Sequence, residues 1–420
     1  MATATEVRRR APIKTQVGLG VRAIEFLLRY GILVVGALLV LAPFILNGIT
    51  SLALYAEDEG WAAAPLIRGI QNTLPNVPLM IQIMVYALYG IAFNIALGYT
   101  GVLSLGHCAF FGIGGYAAGL LFAWFKQGTP VPAGLTQFFL GFPMEYALLA
   151  TVVSTFLVAL GMGFLCQRKL GVYFAILTLA ISQVFYYAAQ TFDDLTGGTD
   201  GLGGLENIRL GTLGLRLGVV DAQKTYWFVL ITSAVCVFLI WQILRSPYGQ
   251  VLRAIKENEE RARACGYNTQ RIKLTAFVVS GVFSGIAGYL AIVYGESVPI
   301  ENIHWSNSGT VVIISLFGGT GVFLGPAVGS FIYWYLRQLM STQFVTFWQG
   351  FEYWEAWVGG IFVLIVLFLP EGILGTLRKL ALNYRAKRYQ AVSEGLEQAA
   401  EAAPVAPAVE GARAPDRGAP

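Results

Sequence analysis

The densest concentration of chemistry in the chain is a 29-residue stretch, Arg245 to Lys273, which holds seven of its 28 Lys and Arg residues. The flanking spans, Tyr226 to Leu244 and Leu274 to Tyr294, hold none. Such a segment offers docking rather than catalysis. Ser246 stands where an N-cap would, Pro247 at the first helical position and Gly266 where a helix would end. On a helical projection Val251, Ile255, Ala262 and Cys265 share one side, and Arg253, Lys256, Glu257, Glu260 and Arg263 the other. Glu257 with Arg261, and Glu259 with Arg263, stand at i,i+4, each pair worth about 0.3 kcal/mol. The segment therefore reads as amphipathic, one helix or two short ones. A solvated loop obeying the positive-inside rule accounts for its charge alone.

A second set of residues could meet a solute. Ser104 and His107 lie in a stretch where Gly98, Gly101, Gly106, Gly112, Gly114 and Gly115 remove side chains, which lets helices approach closely or lets backbone line a cavity. Close packing is the simpler reading, and a His near a membrane interface is more often a satisfied structural residue. The deeper polar residues of the spans are neutral: Gln82, Asn94, Ser182 and Gln183. The candidate translocation path is accordingly Ser104, Gly106, His107 and Gln183.

What is missing narrows the mechanism. A proton-coupled carrier places Asp, Glu or His in its core and a voltage sensor carries an Arg-rich span. This chain has neither, and Arg29 and Arg337 sit near expected span ends from which they can snorkel. No Gly-x-x-x-x-Gly-Lys-Ser/Thr loop occurs, so the chain is not expected to hydrolyse nucleotide, and Gly197, Gly198, Gly201, Gly203 and Gly204 do not form G-x-G-x-x-G. Cys108, Cys166, Cys236 and Cys265 have no paired spacing, so neither a disulfide framework nor a metal site is indicated. No cofactor is expected on this chain.

The elements that must position these residues are membrane helices. With 56% hydrophobic and 12% charged residues, the chain lies far from the soluble norm of roughly 25% charged. A net charge of +4, concentrated in short loops, suits orientation in a bilayer and does not suggest nucleic acid. Spans are expected at Phe26 to Ile49, too long for a signal-peptide core and so retained, and at Leu79 to Tyr99, Ala109 to Phe125, Tyr146 to Leu165, Leu170 to Gln190, Tyr226 to Leu244, Leu274 to Tyr294 and Trp354 to Leu369. Asn307 to Met340 would be about 51 Å long as one helix against a hydrocarbon core of about 30 Å, so it must break. Gly318, Gly319, Thr320, Gly321, Gly325 and Pro326 mark the break.

Two short passes there give ten crossings, some of them broken or re-entrant, in an all-α polytopic membrane protein with both termini cytoplasmic. Arg8, Arg9, Arg10, Lys14 and Arg22 make a basic segment of residues 1–25, and Arg378, Lys379, Arg385, Lys387 and Arg388 begin the tail. Arg168, Lys169 and the loop 245–273 fall inside; Glu57, Asp58, Glu59, Asp193, Asp194 and Asp200 fall outside. The membrane domain is then 26–378, and the Ala, Glu and Pro mixture of the 379–420 tail is expected to be disordered beyond about residue 390.

Four stretches carry a resemblance: GYTGVLSLGHCAFFGIGGYAAGLL (Gly98 to Leu121), LTGGTDGLGGL (Leu195 to Leu205), SPYGQVLRAIKENEERARACGYN (Ser246 to Asn268) and HWSNSGTVVIISLFGGTGVFLGPAVG (His304 to Gly329). In order and spacing they resemble the LivM-type permeases of branched-chain amino acid ABC importers, over roughly residues 80–378. The resemblance implies a permease of the bacterial plasma membrane that pairs with a second, related permease. It also implies solute delivered by a periplasmic binding protein, drive from two cytoplasmic ATPase subunits that hold ATP and magnesium, and alternating access. The basic loop becomes the ATPase-coupling element, carried by Arg253, Lys256, Glu257, Glu260, Ala262, Arg263 and Gly266. Glu260, Ala262 and Gly266 match the Glu-Ala-Ala-x-x-x-Gly signature of importer permeases, whereas Arg261 replaces the first Ala and the customary Leu-Pro is missing.

Thr196, Gly197, Gly198 and Asp200 are either a plain connector or the surface on which the binding protein lands, and His304 with Trp305 anchors a helix end. A permease for urea or short amides is the neighbouring alternative. A facilitative channel or secondary transporter would have similar hydropathy without needing a docking helix.

Overall fold

The computed structural model describes residues 19–58, 74–127, 143–166, 171–205, 209–210, 215–219, 221–344, 354–369 and 371–380, with isolated residues beyond. The basic cluster Arg8 to Lys14, Glu59, Arg168, Lys169 and nearly all of the tail expected to be disordered lie outside the described residues. By contact the chain divides into a body, Phe26–Thr376, and a unit of the two ends, Met1–Glu25 with Leu377–Pro420, in which 19–25 and 377–380 are helical.

The helices are α1 (Leu19–Asp58), α2 (Val77–Asn94, continued by a π-helical turn, Ile95–Tyr99), α3 (His107–Gln127), α4 (Pro143–Cys166), α5 (Val172–Thr191) and the single turn α6 (Asp193–Thr196). After a two-residue antiparallel ladder, β1 (Arg209–Leu210) with β2 (Leu215–Arg216), come α7 (Ala222–Arg245), α8 (Pro247–Glu257), α9 (Glu259–Ala264) and α10 (Thr269–Gly295). A 3-10 turn, Ile300–Asn302, leads to α11 (Trp305–Gly318), α12 (Gly325–Gln338) and α13 (Trp354–Phe368). The described chain is thus an all-α polytopic membrane protein apart from that ladder and one bridge, Leu202 with Val298.

Among the described residues seven helices are long and apolar enough to cross a membrane, against ten crossings expected. The apolar part of α3, His107–Ala123, is shorter. At 14 residues each, α11 and α12 reach about 21 Å, shorter than a hydrocarbon core of about 30 Å. The break between them falls at the anticipated glycines. Gly319 (φ +110°) and Gly321 (φ +82°) adopt left-handed backbone that other residues avoid. The two short helices then meet without side chains, because a Cβ on Gly318 would strike the Gly325 backbone and one on Gly329 the Ile314 carbonyl.

The same device builds the centre. A Cβ on Gly114 of α3 would strike Gly285 of α10, and one on Gly288 of α10 would strike the Phe111 carbonyl. Thr151 of α4 donates to the Gly114 carbonyl (2.9 Å) and Ser280 of α10 to the Ala92 carbonyl of α2 (2.7 Å). The glycines of Gly98 to Gly115 therefore serve close packing. At the periphery, Pro43 inside α1 lacks the N–H that would bond Leu39, and Tyr226 of α7 donates to that freed carbonyl at 2.6 Å. The 27-residue α10 separates two poles of the body, the loop 245–273 that precedes it and the Leu202–Val298 bridge that follows it.

Candidate functional site

The basic loop begins where α7 ends, with the Arg245 guanidinium 4.0 Å from the Trp241 ring centre. Ser246 occupies the N-cap position, yet its hydroxyl donates back to the Ile243 carbonyl (2.7 Å) rather than accepting from α8. Pro247 opens α8 as expected. The helix does not run through to Gly266, because Asn258 is extended (φ −158°, ψ 104°) and its side chain accepts from the Arg261 amide at 2.9 Å. Asn is a strong cap, so it ends α8 and starts α9.

That break corrects the helical projection. Leu252, Ile255 and Ala262 are buried, Val251 is half-buried and Cys265 is exposed. Glu257 and Arg261 now lie on different helices and form no ion pair. Glu259 does pair with Arg263 (3.3 Å) and also with Lys273 at the start of α10 (2.6 Å). Partial burial would raise the Glu259 carboxyl, but hydrogen bonds from Lys273 and Thr269 and the charges of Lys273 and Arg263 overcome this and hold it below the usual carboxylate range. Gly266 (φ +90°) closes the segment in left-handed backbone.

Two residues assigned to the outward face, though exposed, reach back to the end of α2. The Arg253 guanidinium lies over the Tyr99 ring at 5.2 Å, and the Lys256 ammonium donates to the Gly98 carbonyl at 2.7 Å. Glu257, Glu260 and Arg263 remain exposed and form the outward face. At the point that Lys256 reaches, Asn94 of α2, only 1% exposed, spans the break between α11 and α12: its Oδ1 accepts from the Gly321 amide and its Nδ2 donates to the Val322 carbonyl, both at 3.0 Å. Sequence reasoning noted Asn94 only as a neutral polar residue. The usable signal was an amide in an apolar span together with a glycine break elsewhere, whose unpaired backbone needs partners.

Ser104, Gly106 and His107 are brought together, and sealed. Ser280 spends its one hydroxyl hydrogen on Ala92, so His107 Nε2–H donates to Ser280 Oγ (2.9 Å). The imidazole meets the rings of Phe93, Phe110 and Phe277 edge-on at 4.9, 5.3 and 5.6 Å. Ser104 Oγ accepts from the Gly106 amide (3.2 Å), and a Cβ on Gly106 would strike the Thr178 carbonyl of α5. Gln183 lies more than a turn further along α5, half-buried, and its Nε2 has no hydrogen-bond partner among the described residues.

At the opposite pole Thr196, Gly197 and Gly198 build rather than present. The Thr196 hydroxyl donates to the Ala189 and Phe192 carbonyls, and Gly197 (φ +74°) and Gly198 (φ +57°) turn the chain so that Leu202 and Val298 exchange backbone bonds at 3.1 and 2.7 Å. Of the four residues considered there, only Asp200 is exposed, alongside Asp193 and Asp194. The His304 ring accepts from the Ser306 amide (3.4 Å), so it caps α11. Among the described residues no three His, Cys, Asp or Glu converge as metal ligands.

These parts are an exposed charged loop and a body of close-packed helices. Comparison with known proteins gives them a family. The model of the permease component of branched-chain amino acid transport systems matches residues 77–369. The LivM permease of the high-affinity branched-chain amino acid transport system of Escherichia coli K12 is 29% identical over 317 residues, covering 70% of this chain and 69% of its own. Its Salmonella typhimurium counterpart is 28% identical, covering 72% and 71%. The fructose import permease FrcC of Rhizobium meliloti is 28% identical, covering 64% and 79%. No solved structure matches. With more than half its length matched by that model, the chain belongs to the family of branched-chain amino acid transport permeases, the multi-pass membrane components of ABC importers.

Proposed function

We propose that the chain is one of two permease subunits of an ATP-driven importer for branched-chain or other apolar amino acids in a bacterial plasma membrane. The observation that carries this is the likeness to two LivM permeases over about 70% of the chain. In this reading the pole bearing the loop 245–273 faces the cytoplasm. The exposed Glu257, Glu260 and Arg263 meet one of two ATPases, which bind ATP and magnesium. Asp193, Asp194 and Asp200 face the periplasmic binding protein at the other pole. Solute passes by alternating access as ATP-driven closure moves the loop. Gln183 and His107 each have one side-chain nitrogen without a partner among the described residues, but Gln183 is only half-buried, whereas His107 is fully buried within an aromatic enclosure, so Gln183 is better placed to meet solute. The likeness to FrcC supports a second substrate class, sugars, on the same scaffold.

The test is uptake by proteoliposomes holding the chain, its partner permease, both ATPases and the binding protein. ATP-dependent accumulation of leucine, isoleucine or valine is expected. Accumulation of fructose or urea instead would overturn the substrate, and uptake without ATPases would overturn the energy source. In the same system Ala262→Pro removes the 3.2 Å bond from the Ala262 amide to the Asn258 carbonyl. A helix-interior proline costs about 3 kcal/mol, so this variant should reach the membrane but lose the ATPases and uptake.

A further inference from the structure

We propose that Lys256 and Asn94 form a two-step tie that transmits movement of the docking loop to the break between α11 and α12. This rests on the chain being an ATP-driven permease.

The first step is the bond from Lys256 to the Gly98 carbonyl (2.7 Å). Gly98 lies in the π-helical turn that ends α2, where terminal carbonyls lack helical partners and the last turn carries no cation of its own. A lysine from a loop about 160 residues away in sequence, placed beside its own target, supplies that cation. Its stem reaches the carbonyl across Gly101, whose ideal Cβ would lie 3.3 Å from Lys256 Cγ.

The second step is Asn94, which binds the Gly321 amide and the Val322 carbonyl. The two steps touch. A Cβ on Gly98 would run into the Asn94 amide, and the ideal Cβ position of Gly321 lies 3.3 Å from the Gly98 oxygen and 3.6 Å from Lys256 Nζ. Three glycines thus bring the docking loop, the end of α2 and the α11–α12 break to one point.

The parts differ in how easily they yield. Asn94 is enclosed and makes two bonds to the break, whereas Lys256 is a long, exposed side chain making a single bond. A π turn is itself a rare helical form, found frequently at functional sites. When α8 shifts, the carbonyl of Gly98 is therefore pulled first, and the break follows because Asn94, one turn earlier on α2, holds the Gly321 amide and the Val322 carbonyl within it. Lys256 and Asn94 are positioning residues, since neither needs to touch solute.

The test uses Lys256→Met, which keeps the stem and removes the donor, and Lys256→Arg, which keeps a donor. With the complete importer in proteoliposomes, Lys256→Met should retain the ATPases on co-purification yet lose most of the solute moved per ATP. Lys256→Arg should restore most of it. Hydrogen exchange on the permease in nanodiscs supplies a readout independent of transport: in Lys256→Met, and more so in Asn94→Asp, peptides covering 319–324 should exchange faster. Unchanged exchange and an unchanged solute-to-ATP ratio in Lys256→Met would overturn the tie while leaving the transport assignment intact. Absence of ATP-dependent uptake in the unaltered protein would overturn both.

Discussion

The helices α10 and α1 are equally apolar, with mean hydropathy 2.0 in each best window, yet 78% of the α10 window is buried in the chain and 6% of the α1 window. The difference shows that hydropathy sorts segments into the membrane but does not sort them within it. Lipid tails are as apolar as leucine, so burial against protein must be won by shape and hydrogen bonding. In α10, Gly281, Gly285 and Gly288 lie on one face and admit Phe110, Thr155 and the Phe111 backbone, while Ser280 and Ser284 are buried. In α1, Gly36 and Gly48 meet nothing within 4 Å, and Leu38, Phe44 and Ile45 are exposed. Glycine content alone is not the discriminator; a partner with matching relief is.

The most severe way to break this contrast is Gly288→Val. Its Cβ would strike the Phe111 carbonyl, which cannot move without displacing α3, so destabilisation beyond about 3 kcal/mol and loss of monodisperse protein after detergent extraction are expected. Gly36→Val, with open space around it, should extract and melt like the parent. If the two behaved alike, backbone contact would not explain the burial of α10.

A smaller effect is expected where α1 does touch the body. Tyr226→Phe removes the donor to the Leu39 carbonyl that Pro43 leaves free, at a cost of about 1 kcal/mol. Restoring the intrahelical donor with Pro43→Ala should make the Tyr226 change nearly neutral, which a double-mutant thermal cycle would read. Additive losses would mean that the proline and the tyrosine act separately.

The smallest effect lies where α10 leaves the membrane. Glu259 titrates below its ordinary value of 4.5 when folded, so its bonds to Lys273 and Arg263 favour docking of α9 above that pH and are lost as pH falls through the lowered value. Between pH 8 and pH 5, hydrogen exchange of α9 should therefore be flat once corrected for intrinsic rate, with loosening only below about pH 4.5. Glu259→Gln should remove that step and cost about 1 kcal/mol or less at neutral pH.

Much of the architecture was legible in the sequence because it depends on local chemistry. Span lengths follow from bilayer thickness, the break at Gly319 and Gly321 from the left-handed backbone that only glycine adopts cheaply, and the start of α8 from Pro247. The ordered motifs were enough to suggest the family. The candidate site was legible in outline only. An uninterrupted helical projection assigned Cys265 to the apolar strip and Arg253 and Lys256 to the outward face.

Tertiary structure decided what periodicity could not carry. Asn258 was free to sit inside a helix or to cap one, and capping resets the phase of everything after it. Lys256 reached back to the body because a carbonyl at the end of α2, about 160 residues earlier, offered it a partner. His107 became a packed residue because Ser280 and three phenylalanine rings enclose it. By itself the sequence determined which segments enter the membrane, where backbone breaks and where charge gathers, since each is settled by neighbours within a turn or two. Only the fold decided which polar group meets which, because an unsatisfied carbonyl or amide in an apolar interior takes its partner from whatever element the packing brings within about 3 Å.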